Sequence, residues 1–209
     1  MLDKIDLKWQ AVTGNDVDPF LQSINPISGK HTANAQSAKV EWAQLPFYSN
    51  IALVRISDSS WSGDIGPFWF LAKQGQMFHL DGTSAPIHDA NEAGPISVTE
   101  ENVINYLRFF CFFVHGDEGP FYIVEDLADS ALDQGKMDDA TKGVVEGSIV
   151  PAALEGKDDN GQFVTSAIVL YGDALFSARF AMTTDGMIEM TDDDPIAGDL
   201  PVIPFRPKA

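Results

Sequence analysis

Cysteine is almost missing from this chain: Cys111 stands alone among 209 residues, so no intramolecular disulfide can form and no C-x-x-C redox or metal motif exists. A chain of this length needs no such cross-link, because it can bury about 70% of its unfolded surface. Long hydrophobic runs are missing too. The apolar stretch 109–114 falls far short of the roughly 18 to 20 residues that span a bilayer, and the opening MLDKIDLKWQ lacks the apolar core of a signal peptide. These absences make the cytoplasm the expected compartment, with no membrane contact.

The signatures of common chemistry are also lacking. Neither G-x-x-x-x-G-K-[ST] nor G-x-G-x-x-G occurs, and Gly29-Lys30-His31-Thr32 has no upstream glycine to make a phosphate loop. There is no G-x-S-x-G nucleophile elbow and no H-E-x-x-H, which removes the usual hydrolase and zincin patterns. Nothing in the sequence calls for a cofactor, and none is expected.

Basic residues are scarce, 13 against 31 acids, and the imbalance is local. Residues 1–116 hold 12 acids and 7 bases, residues 117–199 hold 19 and 4, and the last ten hold two bases and no acid. An acidic C-terminal half repels nucleic acid and anionic lipid, and leaves a basic protein surface as the partner it suits. Solubility alone is the plainer explanation of scattered acidic turns.

Turning to what is present, segment 97–126 carries the clearest structural signal. Ser97 and Glu100 stand in the S-x-x-E relation of a capping box, with Thr99 as a rival cap. Val103, Ile104, Leu107, Phe110, Cys111 and Val114 then follow one helical face, and residues 109–114 are apolar on every side. His115 and Gly116 supply a stop. This spacing predicts a long, largely buried helix over about 98–115.

Strand patterns flank it. Residues 51–57, 67–73 and 75–82 read as three antiparallel strands, 120–125 as another, and 161–172, 173–182 and 186–191 as a C-terminal meander. The first 48 residues read as a short arm with one helix capped by Asn15 or Asp16, residues 83–95 as irregular, and 126–147 as one short helix. The tail has prolines at 195, 201, 204 and 207, which suits an extended segment lying on the body. The expectation is an α+β fold: an antiparallel meander packed on one long buried helix, with a short N-terminal arm and an extended Pro-rich C-terminal tail. It is read as a single domain over 1–209, with sub-domains at about 1–126 and 127–209 as the alternative.

Few polar residues invite a chemical role. Cys111 and His115 are one helical turn apart, but a thiol among Phe109, Phe110, Phe112 and Phe113 is shielded and reads as core. His79, Asp81, His88 and Asp89 contain two imidazoles and two carboxylates, yet their spacing is too loose for a metal signature, and no metal is expected. The acidic turn at 158–161 fails the EF-hand template at Gly156 and Ala167. His79, His88, His115 and Asp117 are the catalytic candidates that remain. Trp61, set among serines and aspartates, and the run Asp192, Asp193, Asp194 are the binding candidates.

The leading functional expectation is a non-catalytic cytosolic module that binds a protein partner with a basic surface. A small hydrolase or isomerase with a histidine and carboxylate pocket, possibly metal-dependent, is the alternative, and an acidic inhibitor of a basic enzyme is the third.

Overall fold

The computed structural model describes residues 1–27, 31–61, 66–128 and 132–203. Within the described residues the chain divides into two compact units, one formed by Asp6–Ile96 and the other by Met1–Ile5 together with residues 97–203.

In the unit Asp6–Ile96, a five-stranded antiparallel sheet runs in sequence order: β1 (Gln10–Ala11), β2 (Ala38–Gln44), β3 (Ala52–Asp58), β4 (Phe68–Lys73) and β5 (Gln76–His79). Helix α1 (Val17–Ile24) supplies Leu21 and Ile24 to a cluster with Val40, Val54, Ile56 and Phe70. The register explains the face: Val40 pairs with Ile56 and Val54 with Phe70, so their side chains line one surface of the pleat. On the opposite face Glu41 accepts a 2.8 Å bond from Arg55 Nε, and that guanidinium lies 4.2 Å over the Trp9 ring. Helix α2 (Ala85–Ala93) follows β5, with Pro86 in its first turn and Ile87 and Ala90 buried.

The second unit begins with a 3-10 turn at Leu2–Lys4. Its helix α3 (Val103–Phe113) leads into the small hairpin of β6 (His115–Gly116) and β7 (Gly119–Pro120). The main sheet contains β8 (Tyr122–Ile123), β9 (Ala153–Lys157), β10 (Phe163–Tyr171), β11 (Ala174–Met182) and β12 (Ile188–Ala197). Strand order is β12-β11-β10-β8, with β9 also paired to β10, and every pairing is antiparallel. Helix α4 (Asp139–Ser148) is capped by the Asp138 carboxylate, which accepts 2.7 Å from the Thr141 N–H, and it buries Val145 with Ile168, Leu170, Leu175 and Leu200.

The expectation of a meander wrapped on one long helix is overturned. The described residues form three sheets with twelve strands and four short helices, of which α3 is 11 residues long. It begins five residues later than the spacing predicts because Asn102 takes the capping position. The Asn102 side chain accepts from the Thr99 N–H at 2.8 Å and donates to the Ser97 carbonyl at 2.9 Å, while the Asn102 and Val103 N–H groups bond to the Thr99 carbonyl, so residues 100–102 form a separate turn ahead of the helix. Extended backbone at Val114 ends the helix, and Gly116 serves a different purpose from the expected left-handed stop: the Tyr171 hydroxyl leaves no room for a Cβ there.

The N-terminal arm and the extended tail need correcting as well. Residues 38–44 form β2, inside the first sheet, and residues 83–95 contain α2. The tail is a strand through Ala197, after which Leu200 donates to the Asp173 carbonyl and Val202 bridges to Leu132. Pro204 and Pro207, like Gly29 and Lys30, lie outside the described residues.

One buried ionic group organises the second unit. The Glu125 side chain, 5% exposed, accepts from Arg108 through Nε at 3.1 Å and Nη2 at 2.7 Å, and from the Ala152 N–H at 3.0 Å, with Lys4 Nζ at 3.6 Å. Burial alone would raise its pKa, but Arg108, the Ala152 amide and Lys4 together hold it below the ordinary 4.5. A carboxylate whose pKa is depressed in the folded state stabilises the fold above its unfolded pKa and loses that contribution as pH falls through the folded value. Glu125→Gln is therefore expected to cost about 3–5 kcal/mol in urea unfolding at neutral pH, and much less below the folded pKa. Replacing the pair together, Arg108→Met with Glu125→Leu, should cost less than the single change; equal losses would show that the ionic group is not what matters.

Candidate functional site

The catalytic candidates are divided between the two units. His79 ends β5 with its ring 5.1 Å from Phe70 and 5.7 Å from Phe68. Burial lowers its pKa below the ordinary 6.5, against the opposing charge of Asp81. That carboxylate is itself engaged, accepting from the Thr83 hydroxyl at 2.7 Å and the Thr83 N–H at 3.0 Å, the geometry of a turn. His88 is half-buried in the middle of α2.

In the other unit His115 and Asp117 are both exposed on the β6–β7 hairpin. A His115 ring nitrogen lies 3.3 Å from the Phe112 carbonyl, so the imidazole covers the last turn of α3 as a cap does. Among the described residues, no group of three or more His, Cys, Asp or Glu side chains could hold a metal ion. Also among these residues, no helix is long and apolar enough to cross a membrane.

Cys111 is 3% exposed, and burial pushes its thiol up to about 12. At neutral pH it carries no thiolate, so pairing it with His115 has no nucleophile to offer.

Trp61 is half-buried and well held. Its indole Nε1 donates 3.1 Å to the Thr32 carbonyl, and its ring meets Phe68 edge-on at 5.1 Å. This is the geometry of a loop anchor. The same loop region depends on Asp58, which pattern reading passed over. Asp58 is 6% exposed, and burial would raise its pKa, yet the Asn34 amide at 2.6 Å, the Ser37 hydroxyl and the Ser60 amide at 2.8 Å hold it at about 2. The adjacent Ser59-Ser60 was the available sign, since an Asp followed by small polar residues closes turns with its side chain.

Asp192, Asp193 and Asp194 have the most distinctive placement. They sit in β12, the terminal strand of the second sheet, where every residue from Glu189 to Pro195 is exposed. Opposite them on β11 are Arg179, Ala178 and Ser177, so Asp192 and Asp194 share one face and Asp193 takes the other. Arg179, the basic side chain of that patch, is ion-paired to Glu155. Register shifts lie on both sides of the acidic run, between Arg179 and Phe180 and between Leu175 and Phe176. Met190 in that strand and Met187 just before it add exposed apolar surface, 38% and 53% accessible.

An edge strand of this kind presents a row of outward backbone donors and acceptors, a template for another extended chain. Charge, bulges and Pro195 are the devices that keep such an edge from pairing indiscriminately. Such an edge has the backbone and charge to suit cationic, extended ligands.

Comparison with protein-family models, with curated proteins and with solved structures gives no match for this chain.

The burial of Cys111 is directly measurable. Ellman's reagent at pH 8 should leave the native thiol unmodified and label one equivalent after denaturation; labelling of native protein at the rate of a free thiol would overturn the core assignment.

Proposed function

We propose that the protein is a non-catalytic binding module whose ligand is a protein with a basic surface, received along β12. The observation that supports this most strongly is a terminal strand with seven consecutive exposed residues, four of them carboxylates. Exposed charge pairs contribute little singly, about 0.2–1 kcal/mol each, but they steer encounter and reject like-charged partners. Acidic surface of this density repels phosphate backbones, so nucleic acid is not part of the proposal. A chain with one reduced, buried thiol fits the cytoplasm, the compartment we propose.

The hydrolase or isomerase reading draws on the lowered pKa and half burial of His79. Against it stand the exposed positions of His115 and Asp117. An inhibitor of a basic enzyme would use the same edge and differs only in the partner's activity.

The test is affinity for a fluorescent oligolysine probe at low salt. Neutralising Asp192, Asp193 and Asp194 to Asn should weaken binding roughly three- to hundredfold, three exposed pairs at the magnitude above. Neutralising Asp158, Asp159 and Asp185, acids placed in turns, removes the same charge and should have a smaller effect. Equal losses from the two triple variants would count against β12 as the site.

A further inference from the structure

The acidic run is a regular piece of sheet rather than a loop, and this restricts what can occupy it. Asp192, Asp193 and Asp194 pair in unbroken register with Arg179, Ala178 and Ser177, and the irregularities fall before and after them. Their outward backbone groups consequently keep the spacing of a β-ladder. Beyond the run, Pro195 has no N–H to donate, so it closes the ladder on that side. On the other side exposed Met190 offers an apolar contact.

We infer that the ligand of β12 is an extended segment of another protein that adds as a further strand, carrying consecutive Lys or Arg residues beside Asp192, Asp193 and Asp194 and an apolar residue toward Met190. The inference rests on the binding-module reading and specifies its geometry. Consecutive cations are required because the three carboxylates alternate between faces: a strand with basic residues at every second position would satisfy one face and leave the other unmatched. Charge complementarity also sets the choice of occupant. A second copy of this chain pairing through β12 would bring carboxylates against carboxylates, which is destabilising for directly opposed like charges. Uncharged strands gain the ladder but no compensation for burying these acids.

Strand addition and simple electrostatic attraction are separable with one pair of probes. The first is a blocked peptide, acetyl-TKKKVTV-amide, and the second is the same peptide N-methylated at every backbone amide, which keeps every charge but can donate no ladder bond from either edge. Strand addition predicts that the parent peptide binds, that N-methylation weakens it at least tenfold, and that within the run 192–194 the backbone amides at the alternate positions facing away from β11 exchange more slowly in the complex. It also predicts at least a tenfold loss for the parent peptide with D192N/D193N/D194N, whose folding is checked by circular dichroism. Equal binding of the two peptides would overturn strand addition while leaving an acidic docking surface intact. Failure of both peptides and of oligolysine to bind at low salt would overturn the docking surface itself.

Discussion

A carboxylate can stay ionised at 5% exposure only if nearly all of its lost hydration is replaced, and Glu125 achieves this with a two-pronged Arg108 contact, a backbone amide and a lysine. Each of these partners comes from a different stretch of the second unit: Lys4 from the opening turn, Arg108 from α3, and Ala152 from the approach to β9. The ionic group thus acts as a geometric requirement. Hydrophobic contacts tolerate small displacements, whereas a buried charge left without a partner costs several kcal/mol. The apolar cluster around Val145, Ile168, Leu170 and Leu175 supplies cohesion, and Glu125 restricts which arrangement of these segments is acceptable.

The elements that could be read in advance are those whose side chains see two environments. Strands 52–58, 68–73, 163–171 and 174–182 carry dense apolar and aromatic runs because at least one face of each is packed, and in 174–182 the exposed Ser177 and Arg179 mark the other face. The interior half of α3 is equally plain from its phenylalanines. What escaped was of three kinds. Helix starts are degenerate in local pattern: Ser97, Thr99 and Asn102 all resemble caps, and the choice is made by the Asn102 side chain closing a loop back to Ser97. The alternation of Val40 and Trp42 with Lys39 and Glu41 in β2 was present, but it stood among polar residues that looked like an arm. β12 was read only as far as 191; its continuation through Ala197 is exposed on both faces at the aspartates and so has no periodicity to read, and three aspartates and a proline resemble a solvated tail.

The candidate site was legible in a narrower sense. Asp192, Asp193 and Asp194 could be named from composition, but not that they form part of a sheet, and this is the fact on which their chemistry depends. In a flexible tail three carboxylates are a diffuse negative charge. In a strand they are fixed at alternating faces beside a backbone that can itself bond, and under the proposed function charge selects the ligand while the ladder fixes its conformation. Asp58 and Glu125 illustrate the reverse case. Their partners lie 24 and 17 residues away, in Asn34 and Arg108, and no local spacing announces them.

Under the proposed function, stability and recognition fall to different carboxylates. Asp58 and Glu125 are buried and multiply bonded, so their charge is spent inside the fold. The acids of β12 make no comparable contacts, and Ile196 and Ala197 at the end of that strand are the residues that pack against the core. A strand anchored at one end and exposed through its middle can lose its charges with little effect on folding, because surface substitutions away from packed or bonded groups usually change stability by only about 0.5 kcal/mol. The same exposure carries a hazard: without the aspartates the edge would be an uncharged template for any extended chain. Under the proposed function their charge has two effects from one placement, excluding neutral and acidic strands and admitting basic ones, and a single requirement, that the edge remain unpaired until a cationic segment arrives, accounts for both.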